Sequence, residues 1–212
     1  MIIIDEKNLL LYGITDRKND DINDFKNDII AAIDGGITML QIREKDSSFD
    51  EFLIFATLAK RICDSYGIPL IVNDNVEIAK DIDASGVHLG EDDQSIIEAR
   101  KILGPDKIIG ATAKTPEYAR KCQLAGADYL GCGAVFRSSS KSDAKPMDIS
   151  TLKEISEKVD IPIVAIGGIN GDNVHELNDT GIKGVAVISG IFDGNIEENA
   201  RLLKSKMIRI VK

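Results

Sequence analysis

No apolar run in this chain approaches the roughly 20 residues that a membrane-spanning helix needs. The opening Met1-Ile2-Ile3-Ile4-Asp5 lacks the cationic start and small-residue cleavage site of a secretory signal. Cysteine is scarce. Cys63, Cys122 and Cys132 are odd in number, widely spaced and set in apolar surroundings, a pattern of reduced, buried thiols rather than of disulfides or a metal centre. Basic surplus is missing as well: a net charge of −9 and a pI near 4.8 argue against nucleic acid or an anionic membrane as partner. These absences predict a cytoplasmic protein.

Catalytic signatures are also absent. There is no Gly-x-x-x-x-Gly-Lys-Ser/Thr loop, and the nearest dinucleotide fingerprint, Gly131-Cys132-Gly133-Ala134-Val135-Phe136, lacks its third glycine. No nucleophile–His–carboxylate set and no Cys/His metal spacing exist, which weighs against covalent hydrolysis and zinc chemistry. Of the two histidines, His88 lies in an apolar strand and reads first as structural; His175 follows a polar stretch and reads as surface. No linker or low-complexity tract divides the 212 residues.

What is present is alternation. Short β-branched runs recur at Leu9–Ile14, Ile37–Ile42, Pro69–Val72, Gly86–Leu89, Lys107–Ala111, Asp128–Cys132, Pro162–Ile166 and Gly184–Ile188. Amphipathic stretches such as Phe49–Tyr66, Gln94–Leu103 and Ile149–Val159 lie between them, and Gly35, Gly67, Gly104, Gly126 and Gly181 read as helix-ending caps. Strands apolar on both faces indicate a parallel sheet covered by helices. Eight strand–helix units predict an α/β fold, a closed (β/α)₈ TIM barrel forming a single domain over 1–212. An open doubly wound sheet is the competing arrangement.

In such barrels chemistry sits at the C-terminal ends of the strands. The second strand ends in Gln41-Ile42-Arg43-Glu44-Lys45, and alternation from Ile37 through Met39 puts Gln41, Arg43 and Lys45 on one face. Two cations and an amide there either hold an anion or pair with Glu44 or Asp46. The third strand ends in Asn73-Asp74 and the fourth leads to Glu91-Asp92-Asp93. Asp74 and Asp93, one strand spacing of about 4.8 Å apart, suit Mg²⁺, a hard cation that takes carboxylate and phosphate oxygens; Asp93 could instead cap the following helix. Thr112 ends the fifth strand. Ser138-Ser139-Ser140-Lys141 form a polar loop after the sixth, either a linker or a lid that orders on a phosphate. Gly167-Gly168 and Ile188-Ser189-Gly190 occupy the usual phosphate-binding positions of barrels.

In this order the motifs resemble the thiamine phosphate synthase family. The likeness runs from Leu11-Tyr12-Gly13-Ile14-Thr15-Asp16 to Ile188-Ser189, through Gln41-x-Arg43-x-Lys45, Asn73-Asp74, Gly86-Val87-His88-Leu89-Gly90 with Asp93, and Ala165-Ile166-Gly167-Gly168-Ile169. The resemblance implies a transferase that joins a hydroxymethylpyrimidine diphosphate to a thiazole phosphate and releases diphosphate with the help of Mg²⁺. It implies pyrimidine diphosphate contacts at Gln41, Ile42, Arg43, Glu44, Lys45 and Asn73, with Thr112 and Lys141 beside them. Arg43, Lys45 and Lys141 would act on the leaving diphosphate. It further implies metal ligands at Asp74 and Asp93, and a thiazole phosphate pocket at Ser138, Ser139, Ser140, Gly168, Ile188 and Ser189.

Departures from the family pattern are Thr112 for Ser, Ser138 and Ser140 for Thr, Arg137 for Pro and Glu91 for Gln. The related thiazole tautomerases typically lack the Asn-Asp pair and carry His where this chain has Ala134, which favours the synthase. A non-catalytic barrel that binds thiamine phosphates is a third reading. The expected partners are small molecules, with a homo-oligomer left open.

Overall fold

The computed structural model describes residues 4–18, 21–45, 47–137 and 146–211. Eight strands alternate with helices: β1 (Leu11–Ile14), β2 (Met39–Ile42), β3 (Leu70–Asn73), β4 (Gly86–Leu89), β5 (Ile108–Ala113), β6 (Tyr129–Gly133), β7 (Ile163–Ile166) and β8 (Gly184–Val187). The helices are α1 (Glu6–Leu9), α2 (Ile22–Gly35), α3 (Phe49–Tyr66), α4 (Val76–Asp81), α5 (Ile96–Leu103), α6 (Pro116–Ala125), α7 (Ile149–Lys158), α8 (Ser189–Phe192) and α9 (Ile196–Ile210). A 3₁₀ turn, Val174–Leu177, stands between β7 and β8. All strands run parallel in the order β1 to β8, and β8 pairs back onto β1, with Leu11 opposite Val185. The expected closed barrel is the fold, and the open sheet is excluded.

Local chemistry sets the helix ends. Ser48, Asn75, Ser95 and Thr115 each accept a backbone N–H from the first turn of α3, α4, α5 and α6, satisfying donors that a helix start leaves orphaned. Gly67 and Gly126 end α3 and α6 in left-handed conformation as expected. Gly35, by contrast, is still helical, and Gly36 is the left-handed cap. Gly35 is needed for closeness instead: a Cβ there would lie 2.4 Å from the Glu197 carbonyl of α9.

The core has two parts. A large outer cluster fills the space between strands and helices, and a smaller inner one, with Tyr12, Ile14, Met39, Ile71, Tyr129, Val164 and Ala186, fills the lumen. Ile4 and Leu9, just before β1, join the inner cluster and plug the barrel at the N-terminal ends of its strands. Ile37 departs from expectation. β2 begins only at Met39, so Ile37 falls outside the alternation and packs with the outer cluster, while Met39 and Gln41 do face inward. Cys63, Cys122 and Cys132 are buried free thiols, and burial pushes Cys63 and Cys132 up to about 12. No helix among the described residues is long and apolar enough to cross a membrane.

Candidate active site

Parallel closure brings the C-terminal ends of all eight strands to one face, so residues distant in sequence share one rim. At the end of β2, Gln41 is only 2% exposed and its Nε2 donates to the Tyr12 hydroxyl at 2.6 Å. The chain beyond it is pinned to β1: Thr15 N–H donates to the Gln41 carbonyl at 2.9 Å, and Arg43 N–H to Thr15 Oγ1 at 3.0 Å. Arg43 is half-buried and Lys45 exposed.

Asp46, one of the two carboxylates expected to compete, lies outside the described residues. The expected competition from the other, Glu44, does not occur. Its carboxylate turns to Arg17, whose Nε donates to Glu44 Oε2 at 2.9 Å, and Ser47 Oγ donates to the same oxygen at 2.8 Å. Arg17 also reaches Glu51 at 2.7 Å and lies 4.3 Å from the centroid of the Phe55 ring. With Glu44 taken up in this way, Arg43 and Lys45 have no ion-pair partner among the described residues. Two clefts open here. One, of about 370 Å³, is lined by Asp16, Arg17, Arg43, Glu44, Lys45, Ser47 and Glu51. Its neighbour, of about 360 Å³, runs past Lys45 and Ser47 to Asn73, Asp74 and Asn75.

At the end of β3 the Asn73 amide donates to Asp74 Oδ2 at 2.5 Å. Asp74 adopts left-handed backbone geometry, φ 61°, and its N–H donates to the His88 carbonyl at 2.9 Å. Such a φ is uncommon for a residue with a side chain, though aspartate tolerates it better than most. The turn brings the Asp74 carboxyl within hydrogen-bond reach of Asp93. Partial desolvation, then the shared hydrogen bond and like charge of Asp93, push Asp74 up to about 7, while Asn73 and Lys45 pull the other way.

Asp93 does not cap a helix. Ser95 caps α5, and Asp93 Oδ2 accepts from Gly90 N–H at 2.6 Å, folding the β4 loop back towards Asp74. Two oxygen-rich carboxyls held together against their mutual repulsion suit a hard divalent cation. No group of three or more His, Cys, Asp or Glu that could hold a metal exists among the described residues, so water and ligand oxygens would have to complete the shell.

His88 lies inside the lumen with both ring nitrogens engaged, Nδ1 to the Tyr129 hydroxyl at 3.0 Å and Nε2 to Thr112 Oγ1 at 3.1 Å. Burial pushes its pKa down to about 4, so the ring is neutral at pH 7. Across the rim, Gly167 and Gly168 both take positive φ. A Cβ on Gly168 would lie 2.4 Å from the Arg137 carbonyl, so the glycine lets the loops after β6 and β7 pack together. Ile188 precedes α8, whose first residue is Ser189.

The structure thus brings Gln41, Arg43, Lys45, Asn73, Asp74 and Asp93 into one sector of the rim. Thr112, Gly168, Ile188 and Ser189 lie at strand ends of the same face but line neither cleft. Ser138, Ser139, Ser140 and Lys141, and the lid expected of them, fall outside the described residues. Arg17, Tyr12 and Tyr129 received no role in the sequence reading, although Tyr12, Thr15 and Asp16 belong to the stretch that carried the resemblance.

The chain is similar to known proteins over most of its length. Residues 11–191 match the profile described as thiamine monophosphate synthase. The thiamine-phosphate synthase of Caldanaerobacter subterraneus subsp. tengcongensis is 43% identical over 203 residues, 95% of each chain. That of Clostridium tetani is 51% identical over 181 residues, 85% of this chain and 87% of its own. The solved thiamine phosphate pyrophosphorylase of Pyrococcus furiosus superposes with a TM-score of 0.89 at 35% identity, covering 98% of this chain and 99% of that one.

Proposed function

The chain belongs to the thiamine monophosphate synthase family, and from that premise we propose how its residues carry the reaction. Its activity is that of a thiamine-phosphate synthase, a transferase. The substrates in this reading are 4-amino-5-hydroxymethyl-2-methylpyrimidine diphosphate and hydroxyethylthiazole phosphate. The bond between the pyrimidine methylene carbon and the diphosphate oxygen breaks, and its electron pair leaves with diphosphate. The thiazole nitrogen then gives its lone pair to that carbon, yielding thiamine phosphate.

No proton must move for the carbon–oxygen bond to ionise, which fits a site without a catalytic triad. What the departing diphosphate needs is positive charge fixed in advance. Arg43 and Lys45, without a carboxylate partner among the described residues, supply it in this reading, with Lys141 from the loop after β6. Gln41, Asn73 and Thr112 would face the pyrimidine, and Ile42, whose side chain is buried in the outer cluster, would contribute only through its backbone. Glu44 contributes indirectly, since its pairing with Arg17 keeps it from neutralising Arg43 and Lys45. Asp74 and Asp93 would hold Mg²⁺, which when bound supplies charge neutralisation for the diphosphate oxygens. The thiazole phosphate would sit against Ser138, Ser139, Ser140, Gly168, Ile188 and Ser189.

The observation that carries this reading is the meeting of the Asp74 and Asp93 carboxyls beside Arg43 and Lys45, which have no ion-pair partner among the described residues. Incubating the protein with both substrates, with and without chelator, and separating the product by chromatography tests it. Turnover that persists undiminished in excess chelator removes the metal assignment, and no turnover with any divalent cation removes this account of the site.

A further inference from the structure

Five polar side chains on five strands form one unbroken chain across the lumen. Gln41 Nε2 on β2 donates to Tyr12 OH on β1 at 2.6 Å, and Tyr12 OH meets Tyr129 OH on β6 at 3.0 Å. Tyr129 OH meets His88 Nδ1 on β4 at 3.0 Å, and His88 Nε2 meets Thr112 Oγ1 on β5 at 3.1 Å. Tyr12 is 1% exposed, Tyr129 0%, Gln41 2% and His88 8%, so no interior member can exchange its partner for bulk water.

Room for this chain is built into the backbone. A Cβ on Gly110 would lie 2.2 Å from Tyr129 Cζ, and one on Gly131 would lie 3.0 Å from His88 Cε1. Gly110 is on β5, directly opposite Tyr129 on β6, and Gly131 is on β6, two strands from the β4 strand that carries His88.

Proton counting then restricts the chain. Each phenol and a neutral imidazole has one proton to give, and each interior member has a partner on either side. A member that donates one way must therefore accept from the other. Only two arrangements satisfy every link. In one, Gln41 N–H donates to Tyr12, Tyr12 to Tyr129, Tyr129 to His88 Nδ1, and His88 Nε2–H to Thr112, whose own O–H stays free to donate outward. In the other, every link is reversed: Gln41 turns its Oε1 to Tyr12, and the Thr112 proton is spent on His88. A mixed arrangement leaves a buried polar group unsatisfied.

We propose that Tyr12, Tyr129 and His88 are positioning residues that lock the hydrogen-bonding sense of Gln41 to that of Thr112, so that the pyrimidine edge read at one end fixes what the other end offers. This rests on the reading that Gln41 and Thr112 face the pyrimidine. An amino group beside a ring nitrogen pairs with a carboxamide's oxygen and N–H, as Asn and Gln pair with adenine. That pairing leaves the second Gln41 N–H on Tyr12, selects the first arrangement and makes Thr112 a donor. A 4-oxo ring reverses the edge, turns the carboxamide and makes Thr112 an acceptor. The relay therefore rejects the 4-oxo ring at two places together.

Nitrogen-15 NMR of the imidazoles tests the relay without substrate, because the chain has only 2 histidines and His175 is exposed. In the unliganded protein, where Gln41 Nε2 already donates to Tyr12, His88 should be a single tautomer with its proton on Nε2. Gln41→Leu, three links away from His88 along the chain, should mix the tautomers and move the two ring-nitrogen signals towards each other. In a Tyr12→Phe background the same change should have no further effect. His88 signals indifferent to Gln41→Leu overturn the relay.

Turnover tests the selectivity. Tyr129→Phe and Tyr12→Phe should each reduce the preference for the 4-amino over the 4-oxo pyrimidine diphosphate about tenfold, the scale of one hydrogen bond. The KM for the thiazole phosphate should not change. An unchanged preference in both variants overturns the coupling. If instead the NMR response appears but Gln41→Leu leaves the KM for the pyrimidine diphosphate unmoved, the substrate placement fails while the relay survives.

Discussion

Arg17 holds Glu44 through its Nε at 2.9 Å, and both side chains are largely buried, 11% and 4% exposed. One arginine after β1 thereby removes the carboxylate that stands between Arg43 and Lys45 in sequence. Among the described residues Glu44 Oε1 has no hydrogen-bond partner, and the bonds from Arg17 and Ser47 both run to Oε2.

Arg17→Ala should accordingly be costly. Removing one partner of a buried pair strands the other charge, at about 3 kcal/mol. For a chain of this length that corresponds to a drop of roughly 6–12 °C in Tm. The double variant Arg17→Ala/Glu44→Gln should regain part of the loss, measured by thermal denaturation. If the single variant melts with the wild type, the pair has no structural weight.

Arg43→Ala and Lys141→Ala should behave in the opposite manner. Losing one preorganised charge at a departing diphosphate costs about 3 kcal/mol of transition-state stabilisation, roughly a hundredfold in kcat. Tm should hardly change for Arg43→Ala, whose guanidinium has no ion pair to lose among the described residues. Steady-state kinetics and melting curves on the same preparations separate the two roles. A low Tm with near-normal kcat would make Arg43 structural.

The carboxyl pair sets a pH dependence. Asp74 has a folded pKa raised to about 7, above the ordinary 3.8, so its contribution to stability is present below about pH 4 and is lost as pH rises through 7. Without divalent cation, Asp93→Asn should therefore stabilise the protein at pH 8 and make little difference at pH 4. Urea titrations at the two pH values measure this. A variant less stable than wild type at pH 8 contradicts the repulsion.

Cation binding must also displace the Asp74 proton. Mg²⁺ affinity, read by calorimetry in the presence of diphosphate, should weaken as pH falls below about 7, and binding in that range should release a proton to the buffer. Asp74→Asn should abolish both the affinity and its pH dependence. An affinity flat between pH 6 and 8 removes Asp74 from the ligand set.

Much of the fold could be read from residue patterns because parallel strands carry strong local signals. All eight apolar runs became strands, and Phe49–Tyr66 is helical over the expected span. Errors fell at the ends: β2 starts two residues late, and Gly36 rather than Gly35 makes the left-handed turn. Asp93 illustrates a different limit. Its place before a helix suggested a cap, but Ser95 lies nearer to the first turn and takes the role, which frees Asp93 for the Gly90 N–H. Arg17 was overlooked because its partners lie 27 to 34 residues away and no periodicity marks them. Tyr12 and Tyr129 read as apolar strand residues, and only closure of the barrel, across a separation of 117 residues, brings their hydroxyls together.

The two glycines that admit the lumen rings have an evolutionary corollary. Positions 110 and 129 share a single volume, since even a methyl group on one intrudes on the ring of the other. Position 110 cannot grow alone: a larger residue there requires a smaller one at 129, and that change removes the hydrogen bonds to Tyr12 and His88. A bulkier side chain at 110 is therefore expected to be tolerated only together with a smaller one at 129, so the two positions should change as a pair.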